Sequence, residues 1–248
     1  MSTTKPLLAF YGATGGSTLA CLVPSLKASY DCLALARTPS KLTTLLLEKG
    51  VPQSAIDSHL HITQGDVLNP SDVKASLTLN DRTPDIIISG IGIYSLGLSQ
   101  AVTICADGIR NILDALRELK PVSKPTIVAL SSTGITRGEE KDDLPWLMKP
   151  LYYLALHAPH ADKINMEDLI VKEAEKGEEG VIGGYILPRA SMLTNGASRG
   201  LDKIREGTAE EPAVGYTISR DDVGLWLFEK VVKGERGTSV GKKVTLTY

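Results

Sequence analysis

The sequence predicts an α/β fold: a doubly wound, mostly parallel sheet with helices on both faces, and a small C-terminal region given over to substrate binding. Three observations predict it. Short apolar runs bounded by Gly, Pro or Asp recur along the chain, and they are nearly continuous rather than alternating, which fits strands covered on both faces. The segments between them carry helical spacing, so strand and helix alternate. After the sixth run this pattern breaks, and residues 191–215 are rich in Gly, Thr and Glu without strong periodicity. The 248 residues, 42% hydrophobic and 23% charged, suffice for one good core, so a single domain over 1–248 is expected, with substrate-side segments at about 133–160 and 190–215.

In chain order, the predicted strands are 7–11, 32–36, 60–63, 86–88, 127–130 and 185–187. Helices are predicted over 17–28, 39–49, 71–79 and 99–119. Pro24 lacks a backbone donor and should kink the first. The last is the clearest: Val102, Ala106, Ile109, Ile112, Leu113 and Leu116 share one face, with Arg110, Arg117, Glu118 and Lys120 turned away. A short strand over 214–219 leads to a helix from Asp221 to about Val232, capped by Asp221 or Ser219, and 243–248 reads as an edge strand.

Composition excludes several classes. A net charge of −2 advertises no basic face, so nucleic acid is not an expected partner. Cys21, Cys32 and Cys105 form no C-x-x-C pair and read as reduced, buried small residues. The first apolar run is too short for a signal peptide or a membrane span, so a cytosolic protein with no membrane partner is expected. The four histidines lack metal-site spacing, so no metal is expected.

The most informative motif is Gly12-Ala13-Thr14-Gly15-Gly16-Ser17-Thr18, which follows the first strand and opens a helix. Glycines at such a turn let the backbone approach a pyrophosphate, and the free N–H groups of the helix start bind its oxygens, aided by the helix dipole. This is the Rossmann-type context for a dinucleotide. Thr18 stands at the third glycine position, which should loosen helix–strand packing slightly. At the end of the second strand an acid would bind a ribose 2′-hydroxyl. The segment Ala36-Arg37-Thr38-Pro39-Ser40-Lys41 has none, and Asp31 lies at the opposite end. Arg37, helped by Thr38, Ser40 or Lys41, suits a 2′-phosphate, so NADP(H) is the expected cofactor. Asp66, before Val67, either accepts from the adenine amino group or caps the helix near Asn69; Ser89-Gly90-Ile91-Gly92 should line the ribose and nicotinamide.

At this point the chain resembles the atypical short-chain dehydrogenase/reductases of the NmrA-like NAD(P)-binding type, and among them flavin reductase/biliverdin-IXβ reductase. The matching pieces are Gly12–Gly15, Ala36–Leu42, Gly65-Asp66-Val67, Gly108–Ile112, Leu130–Thr133, Lys163 with Glu167, Pro188-Arg189-Ala190 and Ile218–Gly224. The resemblance implies that Ser131, Ser132 and Thr133 stand beside the nicotinamide. It implies that Lys163 holds the nicotinamide ribose or relays a proton, and that the backbone after Pro188, around Arg189, meets the carboxamide. One departure matters. The usual proton-donating pair is Tyr-x-x-x-Lys; four residues before Lys163 stands Pro159, and Tyr152 and Tyr153 are out of register. His160, or His157, could replace the tyrosine, since histidine titrates near working pH. Trp146, Met148, Tyr152 and Tyr153 either line a pocket for a bulky apolar molecule or pack a lid helix.

The expected function is therefore NADPH-dependent reduction of a small, fairly apolar, conjugated or cyclic molecule, with Ser132, His160 or Lys163 assisting the proton. Two alternatives stay open: an NADP(H)-binding redox sensor with a protein partner, and a cofactor-scaffolded cyclase or isomerase. The sequence leaves the oligomeric state open.

Overall fold

The computed structural model describes residues 5–92, 103–150, 152, 156–234 and 240–248. Its main sheet has the order β3-β2-β1-β4-β5-β7-β11-β9, with β6 also paired to β7. The strands are β1 (Leu8–Tyr11), β2 (Cys32–Ala36), β3 (Leu60–Gln64), β4 (Ile86–Ser89), β5 (Thr126–Ala129), β6 (Ser131–Ser132), β7 (Gly184–Ala190), β9 (Arg205–Gly207) and β11 (Lys242–Thr247). All pair in parallel except β9, which runs antiparallel to β11. A separate parallel pair joins β8 (Met192–Thr194) to β10 (Thr217–Ser219). The helices are α1 (Gly16–Lys27), α2 (Pro39–Glu48), α3 (Gln53–His59), α4 (Pro70–Ala75), α5 (Ile104–Leu119), α6 (His157–Ala174) and α7 (Arg220–Trp226), the last continuing as a π turn over Leu227–Val232.

The continuous apolar runs make two cores, because successive side chains of a strand point to opposite faces. Leu8 and Phe10 enter one core with Ile86, Ile88, Val128 and residues of α1 and α7. Leu7, Ala9 and Tyr11 enter the other with Ile87, Ile127 and residues of α5 and α6. The order of strands reverses between β1 and β4, and a crevice outside the carboxyl ends at that point is where such sheets take ligands.

Several expectations change in detail. Helix α4 stops at Ala75, where Ser76 Oγ donates back to Val73 O at 2.8 Å, well short of residue 79. Helix α3 was not foreseen; Ile56 is its one buried residue, so it has no apolar stripe to read. Strand β11 is not an edge, because β9, from the stretch without periodicity, covers its outer side. Ser219 is the cap of α7, accepting from Asp222 N. Residues 99–102 of the helix predicted over 99–119, and Tyr153, lie outside the described residues. The three cysteines are buried and unpaired. Among the described residues no helix is long and apolar enough to cross a membrane.

Candidate functional site

The glycine turn is built by close approach. Gly12 has φ +73°, and a Cβ there would lie 2.8 Å from the Gly90 carbonyl oxygen, so a larger residue is excluded by both the dihedral and the neighbouring backbone. Gly15 N–H donates to Gly12 O at 2.8 Å and closes the turn. Helix α1 then begins with no side-chain cap and no acid in its first turn, so its N–H groups and the positive end of its dipole face the crevice. Thr18 does not loosen the packing as expected. It is buried, and a Cβ on Gly90 would fall 2.1 Å from Thr18 Oγ1. The glycine missing from α1 is supplied by Gly90, just after β4.

A cavity of about 460 Å³ opens at the carboxyl ends of β1 to β4, lined by Gly12, Thr14, Gly15, Arg37, Thr38, Lys41, Asp66, Val67 and Gly90 among others. Arg37 and Lys41 are exposed on one wall, and among the described residues neither meets a carboxylate within ion-pair distance. Asp66 does not cap α4; that cap is Asn69, which accepts from Ser71 N at 3.0 Å. Asp66 Oδ1 accepts from Leu68 N at 2.9 Å, which shapes the loop beside the cavity. Val67 O accepts from Asn111 Nδ2 at 2.8 Å, tying that loop to α5.

A second cavity, about 480 Å³, shares Gly15, Gly90, Ile91 and Gly92 with the first, so the two form one crevice along the sheet edge. Gly16, Ser17, Thr18, Ser131, Ser132, His160 and Lys163 line it. Lys163 Nζ donates to Ile91 O at 2.9 Å and Leu130 O at 2.6 Å, so the ammonium spans the carboxyl ends of β4 and β5. The residue before it, Asp162, accepts from Cys105 N and Ala106 N at 2.9 Å each and caps α5, which fixes where Lys163 enters. Ser132 Oγ donates to Thr133 O at 3.0 Å and lies 3.5 Å from His160 Nε2, long for a hydrogen bond.

The histidines do not behave as the sequence suggested. Burial, and then the neighbouring His157, lower the His160 pKa to about 4, so at neutral pH its imidazole is uncharged. His157 is exposed and lines a different cavity, about 630 Å³, on the far side of a partition made by His160 and Tyr152. Tyr152 is 5% exposed, with its ring 5.4 Å from that of His160. Burial pushes its phenol up, with the Thr133 hydroxyl partly opposing. It lines both cavities, although its spacing from Lys163 excluded it from a Tyr-x-x-x-Lys pair. Trp146 is 75% exposed and Met148 lines neither chamber of the crevice.

Arg189 and Pro188 are both buried and line neither chamber, whereas the following Ala190 and Ser191 line the second. The Arg189 side chain is committed to the interior: Nε and Nη2 donate to Glu167 at 3.0 and 2.7 Å, and Nη1 donates to Glu140 at 2.8 Å. These acids raise the Arg189 pKa in spite of its burial. Against the cost of burial, Arg189 and Lys243 bring the Glu140 carboxyl down to about 2. Glu167 also accepts from Ser131 Oγ at 2.7 Å, so this buried network holds β6 at the crevice wall.

Two residues at the crevice, Asp162 and Arg220, had no role assigned from the sequence. Arg220 stood inside a quoted motif without a role; Asp162 was visible only as the neighbour of Lys163. Tyr152, which the sequence offered as either a pocket wall or lid packing, lines the crevice.

The model of an NAD(P)H-binding family matches residues 12–232. The chain belongs to this NAD(P)H-binding family. Two relatives align along essentially their whole lengths. Reductase pytE of Aspergillus terreus is 48% identical, over 100% of both chains; Oxidase pynE of Aspergillus niger is 39% identical, over 98% of this chain and 99% of its own. Among solved structures, a short-chain dehydrogenase/reductase from Veillonella parvula in complex with NADP superposes with TM-score 0.70 at 12% identity, covering 99% of this chain and 95% of that one. ChuY, an anaerobillin reductase from Escherichia coli O157:H7, gives 0.63 at 17% identity, over 97% and 96%. The family member described here is thus a Rossmann-type NAD(P)H-binding oxidoreductase, as its sequence resemblance implied.

Proposed function

We propose that this chain is an NADPH-dependent reductase of a small, fairly apolar, conjugated or cyclic substrate. The observation that carries the reading is the two-chambered crevice. One chamber presents the glycine turn, the α1 start and the acid-free cations Arg37 and Lys41; the other presents Ser132, His160 and Lys163. The first fits a dinucleotide with a 2′-phosphate: Arg37 and Lys41 pair the phosphate, the Gly12–Gly16 backbone holds the pyrophosphate, and Val67 and Asp66 flank the adenine. NADPH, when bound, supplies a hydride from C4 of its nicotinamide. The segments 133–160 and 190–215 form the substrate side.

The chain's own residues then handle a proton. Reduction adds one hydride to an electrophilic carbon and one proton to the conjugated atom that takes the electron pair. Without Tyr at 159, and with His160 neutral, no imidazolium stands ready at pH 7. Ser132 Oγ lies 3.5 Å from His160 Nε2, and that imidazole can take up and return a proton through Nε2 as the hydroxyl reorients. Lys163, with two of its three protons on backbone carbonyls, keeps one for a ribose or substrate oxygen. That the more similar of the two relatives is named a reductase supports this direction; the other is named an oxidase.

The test uses NADPH deuterated at C4 with a panel of enone and quinone probes. Deuterium found at the β-carbon of an enone supports the reading, and Ser132→Ala and Lys163→Ala should slow single-turnover oxidation by about 10²-fold or more. Tight NADPH binding with no transfer to any probe favours the sensor or non-redox alternatives.

A further inference from the structure

Arg220 opens α7, and its stem crosses the start of α1: a Cβ on Gly16 would lie 2.5 Å from Arg220 Cδ. The guanidinium emerges beyond the glycine turn, on the β8 side of the 480 Å³ chamber. There Nη1 donates to Leu193 O at 3.2 Å and to Asn195 Oδ1 at 2.7 Å. Both acceptors are neutral. Arg82, Arg110, Arg117, Arg137 and Arg189 each meet a carboxylate. Among the described residues Arg220 meets none within ion-pair distance, and no residue lining this chamber is acidic. One nitrogen fixed by two neutral acceptors leaves a preorientated fork with unused donors, suited to a planar anion. Arg220 does not line the other chamber, where the turn's N–H groups face a pyrophosphate. Beside it, Met192, Leu193, Leu130 and Leu156 give the chamber an apolar wall.

We infer that Arg220 anchors an acidic group of the substrate, a carboxylate or another planar oxyanion, at the β8 end of the chamber. The apolar body of the molecule then lies toward Ser132 and Lys163. This names the substrate class of the reductase reading and rests on it: an apolar scaffold bearing one anionic group. Such a group fixes which face of the scaffold meets the hydride donor, because a guanidinium fork sets orientation as well as affinity.

The test is calorimetric titration of the full chain, saturated with NADP⁺, with the matched probes 2-naphthoate and 2-naphthamide. The acid should bind about tenfold or more tighter than the amide, the scale of one charge-assisted contact. Arg220→Met should erase that preference and leave amide binding unchanged, while Arg220→Lys keeps part of it. Both variants should melt as the wild type does and bind NADPH within about twofold of it, the difference one lost charge contact exceeds. Equal affinities for acid and amide in the wild type, including no binding of either, overturn the inference. So does an acid preference that survives in Arg220→Met. Loss of NADPH affinity by about tenfold or more in Arg220→Met also overturns it, assigning the guanidinium to the cofactor's pyrophosphate. A wild type that binds no NADPH sinks the cofactor reading itself, a separate and earlier failure.

Discussion

Glu167→Gln removes one charge from an ion pair that water does not reach. Glu167 is 0% and Arg189 1% exposed, and the carboxylate accepts from Arg189 Nε at 3.0 Å, Arg189 Nη2 at 2.7 Å and Ser131 Oγ at 2.7 Å. Removing one partner of a buried pair costs roughly 3–5 kcal/mol, because the other charge stays buried. Here Arg189 keeps Glu140 on Nη1, and the new amide keeps one acceptor oxygen, so the loss belongs at the lower end, about 3 kcal/mol. For a chain of this size that is a fall in Tm of roughly 6–12 °C. Equilibrium urea unfolding at pH 7.5, with an unchanged m value, measures it. Asp168→Asn is the control: its partner Arg137 is partly exposed, and the pair should be worth under about 1 kcal/mol. A loss below about 1 kcal/mol for Glu167→Gln, or one matched by the control, refutes the buried network.

Two further perturbations probe the site. Gly12→Ala places a Cβ against Gly90 O at a positive φ, so it should cost about 1–3 kcal/mol of stability as well as NADPH binding, whereas Gly138→Ala, also at positive φ but in open space, should leave binding intact; retention of normal binding by Gly12→Ala would rule out the close approach. His160 gives a pH signature. The unfolded chain protonates this imidazole at its ordinary 6.5 and the folded one at about 4, so the stability it contributes is complete above 6.5 and is lost as pH falls toward 4. His160→Gln should flatten that slope between pH 7 and 4.5, and an identical slope in variant and wild type would contradict a buried neutral imidazole.

Much of the glycine-lined chamber was legible in the sequence because local rules dictate its walls. A glycine turn after a buried strand, and a second strand ending in Arg37 rather than an acid, need no long-range information. The parallel core strands were legible for the same reason: apolar runs buried on both faces leave no other reading. What failed depends on tertiary placement. The burial that lowers His160, beside the Tyr152 ring, leaves no mark in the sequence pattern. Arg189 sits in a motif that the resemblance places beside the cofactor, yet its side chain points to Glu167 and Glu140, which lie 22 and 49 residues away. Strand β11 read as an edge because β9 lacks any alternation of its own, and the compensation of Thr18 by Gly90 joins residues whose contact exists only in the fold.

Whether the crevice takes NADPH through Arg37 is decided by one fluorescence titration: NADPH and NADH against the wild type and Arg37→Asp. The wild type should prefer NADPH. The substitution should weaken NADPH by roughly 2–3 kcal/mol, the loss of a charge-assisted pair plus new repulsion, and leave NADH unchanged or tighter. Equal affinity of the wild type for both nucleotides, or unaltered NADPH affinity in Arg37→Asp, would contradict it.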